Sequence, residues 1–158
     1  MTPTTVFLLA LLIGWVCGLR SMTGPAVVCW GAHLGWLQLE GSKLGFLNSP
    51  ISVGVFTLFA LGEMVADKLP KTPSRLAPGS LAVRCVFGAI CAEALCIAGG
   101  GGLLVGWALG AVGGGAGAYA GYHVRRWLTM GKGLPDIIIA LLEDVVAIGG
   151  GLLIVSRF

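Results

Sequence analysis

The sequence has few charged residues. Lys and Arg number 10 and Asp and Glu 7, so charged residues make up 11% of 158 positions, whereas a soluble domain carries about 25%. Hydrophobic residues make up 56%, and the mean hydropathy is +0.93. So few charges cannot cover a surface that faces water. The composition therefore excludes a soluble enzyme, a nucleic-acid binder and a disordered tail, and predicts an all-α integral membrane protein.

The sequence also lacks the basic segment of a secretory signal peptide and the cysteine spacing of a zinc site. Residues 1–5 carry no basic side chain, whereas a secretory signal peptide begins with a basic segment. We therefore expect the apolar run 3–19 to be a retained helix. No two of the five cysteines are spaced as CxxC, and we expect them to be small buried hydrophobes rather than zinc ligands.

Six apolar runs follow one another along the chain, at residues 3–19, 22–37, 51–66, 81–98, 103–122 and 134–155. Each approaches the length of about 20 residues that crosses the hydrocarbon core. We therefore expect one membrane domain over 1–158 with about six transmembrane helices. Gly24-Pro25 interrupts the second run and predicts a broken or re-entrant helix near 20–25, so five helices plus a re-entrant segment is the alternative.

Basic residues are concentrated in alternate connections. The first, third and fifth connections and their edges hold eight of the ten, namely Arg20, Lys68, Lys71, Arg75, Arg84, Arg125, Arg126 and Lys132. Connections rich in Lys and Arg remain in the cytoplasm. We therefore expect these connections to be cytoplasmic and both termini to be extracytoplasmic.

The two halves of the chain share a short pattern. A-L-x-E-x-V occurs at 60–65 and again at 140–145, an offset close to half of the chain. An odd number of helices per half would place the two copies in opposite orientations, as in many transporters. The pattern predicts inverted three-helix repeats over 1–79 and 80–158, with chance matching in apolar sequence as the alternative.

Carboxylates within the apolar runs are the first candidate site. An ionisable side chain at membrane depth costs at least about 2.5–3.5 kcal/mol and is functional by default. The repeat predicts that Glu63 and Glu143 meet at the midplane, where they would share a proton or hold a cation. Further candidates are Asp144, Asp67, Asp136 and Glu93. The alternative is that each Glu is structural, either protonated or paired with an Arg such as Arg20 or Arg84.

The segment 18–25 is the second candidate site. Arg20, Ser21 and Thr23 precede or open a helix that starts at the Gly24-Pro25 breaker. A helix N-terminus with free N–H groups suits an anion or a carboxylate. The alternative is a cytoplasmic turn with an orienting Arg.

Three cations, Lys68, Lys71 and Arg75, lie in a connection that contains two prolines. They are expected to contact the phosphates of lipid headgroups, with a purely topology-setting loop as the alternative. Glycines recur every fourth residue at Gly102, Gly106, Gly110 and Gly114, and again at Gly117 and Gly121. This spacing is typical of closely packed helices. Because the glycine faces exceed what one bundle is expected to use, we expect a homodimer.

Several motifs resemble a known family. They are Gly18-Leu19-Arg20-Ser21, Gly62-Glu63 with Asp67-Lys68, and Leu142-Glu143-Asp144. Through them nearly the whole chain resembles a family of small bacterial membrane proteins that is catalogued as a domain of unknown function. The resemblance implies a bacterial inner-membrane location but no activity. A shorter likeness, at 78–82 and 143–147, is to phosphatidylglycerophosphatase A.

The sequence favours a small transporter or channel for an ion or small solute over an enzyme. One alternative is a Mg²⁺-dependent enzyme that acts on a lipid phosphate, with the metal held by Asp67, Asp136, Glu143 and Asp144. Another is a structural or assembly subunit. Membrane lipid is the expected partner and nucleic acid is not, and a bound cation is the only cofactor that the carboxylates suggest.

Overall fold

The computed structural model describes residues 1–68 and 74–158, and these residues form helices without any strand. The described α-helices are α1 (Pro3–Leu19), α2 (Thr23–His33), α3 (Pro50–Ala66), α4 (Pro78–Gly99), α5 (Leu103–Arg126) and α6 (Asp136–Val155). A 3-10 turn covers Gly45–Asn48, and a π-helical turn, Trp127–Gly131, extends α5. The predicted all-α class is confirmed.

In the described part of the chain, three helices are long and apolar enough to cross a membrane: Pro78–Gly99, Leu103–Gly131 and Asp136–Val155. Pro3–Leu19 and Pro50–Ala66 are apolar but shorter, at 17 residues each. These helices identify a membrane protein. The predicted run 22–37 is too long, because α2 has only 11 residues and spans about 16 Å at 1.5 Å per residue. The helix interruption predicted near 20–25 corresponds to the turn between the end of α1 at Leu19 and the start of α2 at Thr23.

The helices α1, α4 and α5, which we call the inner unit, pack backbone against backbone. An added Cβ at Gly14 or Gly88 would overlap the carbonyl oxygen of Gly110, and one at Gly117 would overlap that of Trp15. Such approaches require glycine and bring many backbone atoms into van der Waals contact. An added Cβ would lie closer than 3.0 Å to backbone atoms at Gly110, Gly114 and Gly117, and to side-chain atoms at Gly106 and Gly121.

Gly102 does not belong with these packing glycines. A Cβ at this position would meet nothing closer than 3.9 Å, because Gly102 lies just before α5 begins and outside the helix contact. The four-residue spacing continues through Gly102, but the interface does not.

The helices α2, α3 and α6 form what we call the outer unit, in which α3 and α6 pack more openly, whereas nine of the eleven residues of α2 are buried. Helix α2 lies between α3 and α6 and contacts both of them. Large apolar side chains on the outer helices are exposed, among them Ile51, Leu58, Phe59, Val65, Leu142, Val145 and Val146. These side chains provide an apolar surface suited to lipid.

The chain alternates between two ends of the bundle. Helices α1, α3 and α5 end where α2, α4 and α6 begin, whereas Met1, Gly99 and Phe158 lie together at the opposite end. The helices that the predicted repeat would pair are unequal, since α2 has 11 residues and α5 has 24. The internal repeat stays a prediction.

Candidate functional site

Charged side chains gather where α1, α3 and α5 end. The cations are Arg20, Lys68, Arg75, Arg84 and Arg125, and the carboxylates are Glu63, Asp67, Asp136, Glu143 and Asp144. We call these ten residues the ionic cluster. Its five cations balance its five carboxylates, so their formal charges sum to zero.

Asp67 joins three elements. It follows the last residue of α3, and its Oδ2 lies 2.8 Å from Arg20, 2.9 Å from Arg75 and 2.6 Å from Arg125. Burial raises the pKa of this carboxyl, but the guanidinium groups of Arg75, Arg20 and Arg125 lower it to about 2. Asp67 therefore remains ionised at neutral pH.

Arg20 is 1% exposed and bridges Asp67 to Asp144. Its Nη2 lies 2.7 Å from Asp144 Oδ1 and forms an ion pair with it. Its Nε has no hydrogen-bond partner among the described residues. Lys68 holds the other oxygen of Asp144 at 3.0 Å. Asp144 is thus shared between two cations.

Glu143 is held mainly by Arg75. Both guanidinium Nη atoms donate to its carboxylate, Nη2 at 2.7 Å, and Arg125 lies 3.9 Å away. Burial lowers the pKa of Arg75, but Glu143 and Asp67 outweigh it and raise that pKa above its usual value. Arg125 also forms a two-point contact with Asp136, with distances of 2.6 and 2.7 Å.

Glu63 caps the N-terminus of α2. Its carboxylate accepts the Ser21 amide at 2.9 Å, the Ser21 hydroxyl at 2.7 Å and the Met22 amide at 2.8 Å. Arg84 lies 3.5 Å away and donates to the carbonyl oxygens of Gly18 and Leu19 at 2.8 and 3.0 Å. This site joins the end of α1, the start of α2, α3 and α4.

The prediction that Glu63 and Glu143 form one shared midplane pair is not met by their contacts. Glu63 is bound by Ser21, Met22 and Arg84, whereas Glu143 is bound by Arg75 and Arg125. The alternative derived from the sequence, in which each carboxylate has its own Arg, describes these contacts. A pattern of identical residues cannot specify which helix lies opposite each copy.

Two of the cations expected to contact lipid phosphates are paired with carboxylates. Lys68 binds Asp144, and Arg75, which is 6% exposed, binds Asp67 and Glu143. The lipid contacts of these cations stay a prediction. Lys71 lies outside the described residues. In the segment 18–25, predicted to suit an anion or a carboxylate, Ser21 and Met22 bind the carboxylate of Glu63.

Arg125 has contacts that the basic pattern of the sequence does not predict. The pattern indicates only an orienting charge, whereas in the structure Arg125 contacts Asp67, Asp136 and Glu143. A signal was present, because Arg125 continues the four-residue spacing of Gly113, Gly117 and Gly121 and hence the packed face of α5. Its neighbour Arg126 lies off that face and is exposed.

The cluster divides its charges between the two units. Arg20 directly follows α1, Arg84 lies on α4 and Arg125 on α5, so each inner helix supplies one arginine. All five carboxylates come from α3 and α6 or the residue after α3. Lys68 and Arg75 lie in the connection between α3 and α4. The interface between the units is therefore cationic on one side and anionic on the other.

Two apolar grooves flank α6. One, of about 280 Å³, lies between α2, α3 and α6, with Thr23, Trp30, Ala60, Met64 and Leu152 among its lining residues. The other, of about 270 Å³, lies between α1, α5 and α6 and includes Arg125 and Glu143 of the cluster. Helix α6 is therefore incompletely packed on two of its sides.

Within residues 1–68 and 74–158, no group of three or more His, Cys, Asp or Glu side chains is arranged to hold a metal ion. The carboxylates proposed as Mg²⁺ ligands, Asp67, Asp136, Glu143 and Asp144, contact arginine or lysine. A metal would have to displace these cations.

Comparison with known proteins gives a family but no activity. The model of a family described as a domain of unknown function, DUF4126, matches residues 7–156. Because the match covers nearly the whole chain, the chain belongs to that family. The match confirms the family resemblance seen in the sequence motifs as a whole. A search of curated proteins and of solved structures finds no match.

Proposed function

We propose that this member of the DUF4126 family is a small membrane transporter for an ion or small solute. In this proposal the outer unit moves against the inner unit, and the ionic cluster closes one side of the membrane. The observation that carries the proposal is the division of charge between the units. Arginines on α1, α4 and α5 face carboxylates on α3 and α6 across a single interface.

Stability alone is a poor reason for such a cluster. Buried ion pairs lose hydration, and replacing them with apolar side chains of similar volume is often neutral or stabilising. The chain nevertheless places ten of its 17 charged residues in this one cluster. Ionisable residues inside membrane-spanning helices mark ion and solute pathways, and Glu63, Glu143 and Asp144 of the cluster lie within α3 and α6.

The contacts in the cluster can be exchanged. Asp67 has three cations within 3 Å, and Asp144 has two. A carboxylate that loses one of these partners keeps another, so the interface can rearrange without leaving an isolated buried charge. Interfaces with alternative sets of ion pairs are a known basis for two-state motion.

The packing of the two units also fits relative motion. Inner helices are held by backbone contacts through Gly14, Gly88 and Gly110 that leave no room for sliding. In contrast, a groove lies on each side of α6, and α3 packs mainly on α2. A fixed unit and a loosely held unit are the two parts that alternating access requires.

Reconstitution tests transport directly. The purified chain in vesicles of phosphatidylethanolamine and phosphatidylglycerol is expected to relax an imposed gradient of protons, sodium, potassium or chloride faster than empty vesicles. Glu143→Gln loses a charge-assisted contact of about 1.5–3 kcal/mol and is expected to slow the rate roughly tenfold or more.

The matched control is Glu93→Gln. Glu93 is also a carboxylate on an apolar helix, but it accepts from Trp107 Nε1 at 3.0 Å and lies outside the ionic cluster. Its variant is expected to transport at close to the wild-type rate. Equal loss in both variants would contradict a gate at the cluster, and no flux of any tested ion would favour a structural subunit.

We further propose that the cluster end faces the cytoplasm of a bacterial inner membrane and that both termini face outward. Eight of ten basic residues in alternate connections support this orientation. A reporter that is active on only one side of the membrane, fused after Phe158, tests it. Activity on the cytoplasmic side would contradict the orientation.

We also propose that the chain forms a homodimer in contact with lipid, through a surface other than the glycine face expected from the sequence. The glycines expected to supply it, such as Gly110 and Gly114, are used inside the bundle. Gly54 and Gly62 on α3 instead have nothing within 4 Å of an added Cβ. Small residues on an open face favour association, and mass measurement in lipid nanodiscs tests whether a particle contains two chains.

A further inference from the structure

The N-terminus of α2 is occupied by a side chain from a distant part of the sequence. We propose that this position is a binding site for a small monovalent anion and that the Glu63 carboxylate is its intramolecular occupant. The inference deepens the proposed transport function, because it names the class of substrate. The binding site itself is argued from contacts that do not depend on transport.

The contacts of Glu63 are those of a bound anion. Two backbone amides, of Ser21 and Met22, and the hydroxyl of Ser21 donate to it at 2.7–2.9 Å. Helix α2 has no capping hydrogen bond from its own N-cap side chain, that of Met22. Converging N–H groups at the positive end of a helix are a common binding site for chloride, phosphate or carboxylate.

Two buried polar groups beside the site lack partners. The Thr23 hydroxyl belongs to a residue that is 2% exposed, and Arg20 Nε to a residue that is 1% exposed. Neither has a hydrogen-bond partner among the described residues. They flank Ser21 and Met22 in the chain, and both can donate a hydrogen bond. Buried polar groups are normally paired, so two unpaired donors next to Ser21 and Met22 in the chain support a ligand at this helix N-terminus.

The Thr23 side chain also borders open space. It lines the groove between α2, α3 and α6 together with Ala60 and Met64, which lie on either side of Glu63 along α3. The site thus has volume next to it that a displaced Glu63 side chain can enter. A site sealed on every side would not allow exchange of the carboxylate for a free anion.

The charge balance favours one negative charge at this position. With Glu63 removed, the described cluster has five cations and four carboxylates, an excess of one positive charge. Arg84 keeps its place without Glu63, because it donates to the carbonyl oxygens of Gly18 and Leu19. A monovalent anion therefore restores neutrality at a preformed site, whereas a cation would increase the excess.

Removing the occupant should open the site. In Glu63→Ala the cavity accepts chloride, so the melting temperature in sodium chloride should exceed that in sodium gluconate at equal ionic strength by about 5 °C or more at saturation. Wild type and Glu93→Ala should show no such difference. Adding Ser21→Ala to Glu63→Ala removes one donor and should reduce the chloride effect.

Glu63→Gln provides a second variant of native volume. Its amide nitrogen replaces one of the two accepting carboxylate oxygens and cannot accept a hydrogen bond, so the donors of Ser21 and Met22 are no longer all satisfied. Chloride should therefore also stabilise this variant. Equal melting temperatures in both salts for the two variants would overturn the anion site. Failure of both to yield folded protein in saturating chloride would also overturn it, because the anion is expected to replace the missing carboxylate.

Flux measurements separate the two proposals. Chloride stabilisation of Glu63→Ala without flux of any ion would retain the anion site and reject transport. Flux of sodium or potassium without chloride stabilisation would retain transport and reject the anion as substrate. Chloride flux that increases in Glu63→Ala and stays at the wild-type rate in Glu93→Ala supports both.

Discussion

The inner and outer units solve the packing problem of a membrane protein in different ways. In the inner unit the backbones of α1, α4 and α5 touch at Gly14, Gly88 and Gly110. In the outer unit α3 and α6 expose most of their large side chains, and grooves separate α6 from its neighbours. Helices in lipid gain little from hydrophobic burial, so close contact is what distinguishes a rigid region from a loose one.

The difference has a consequence for charge. A backbone-packed unit holds its arginines at fixed positions, and Arg84 is fixed further by the carbonyls that end α1. The loosely packed helices carry the carboxylates that these arginines attract. The outer unit is thus attached to the inner unit at one end by exchangeable ionic contacts, in addition to apolar packing through α2.

The largest expected effect is on the inner unit. Gly110→Val adds a side chain whose Cβ would overlap the carbonyl oxygen of Gly88 and the Cβ of Ala92, so the cost should be at or above the upper end of the range typical of overpacking, roughly 3 kcal/mol or more. We expect loss of a monodisperse, cooperatively melting protein in detergent.

Gly54→Val is the matched control in the outer unit. A Cβ at Gly54 meets nothing within 4 Å, and the change in helix propensity is the same. This variant should melt near the wild-type temperature. Comparable loss in both variants would remove the distinction between the units.

The next effect concerns the junction of the units. Arg20→Met keeps the length of a buried side chain but leaves Asp67 and Asp144 each without one cation. Removing one partner of a buried ion pair costs about 3–5 kcal/mol. The remaining cations at both carboxylates should place the loss near the lower value, measured as a fall in melting temperature.

Arg126→Met tests whether the loss of any arginine at this end of the bundle lowers stability as much as the loss of Arg20. Arg126 is exposed, and its loss should change the melting temperature little, since exposed ion contacts contribute about 0–1 kcal/mol. A large effect at Arg126 and a small one at Arg20 would contradict the central position of Arg20.

The sequence predicts the helices well because apolar length and glycine spacing are local properties. α1 occupies the predicted residues 3–19, and the packed glycines of α5 lie on the predicted face. The end of α2 was missed, since residues 34–37 are apolar whether helical or not. They form a turn after His33, with Leu37 buried beneath it.

The candidate site was predicted only as a set of residues. The cost of charge in a membrane selects Glu63, Glu143 and Asp144 from the sequence, but their partners depend on which helices become neighbours. Arg84 was considered as a partner for a Glu, whereas Arg125 required knowledge that the packed face of α5 continues to its end. Contacts between distant helices are not encoded in any local period.

A third, smaller effect concerns the two glutamates. Glu63→Gln and Glu143→Gln each remove a carboxylate charge that pairs with a different arginine. Each should lower the free energy of unfolding by about 1–3 kcal/mol. Because their contacts do not overlap, the double variant should lose the sum of the two. Melting temperatures of the four proteins measure this, and strong non-additivity would restore the idea of one shared site.

Asp67→Asn and Asp144→Asn supply the contrasting pair. Both carboxylates bind Arg20, so each single variant leaves Arg20 one carboxylate partner, whereas the double variant leaves it buried with neither. The double variant should therefore lose more stability than the sum of the singles. Additivity in this pair would show that Arg20 does not couple them.

The smallest effect is the acid dependence of Asp67, which lies just beyond α3. Its pKa in the folded chain is about 2, below the ordinary value of 3.8, so the folded state binds this proton less readily than the unfolded state. The stability that Asp67 contributes is therefore complete above about pH 4 and is lost as pH falls toward 2. In Asp67→Asn this contribution is absent at every pH. The gap in melting temperature between wild type and Asp67→Asn should narrow from pH 5 to pH 2, and a constant gap would contradict the ionised contacts with Arg20, Arg75 and Arg125.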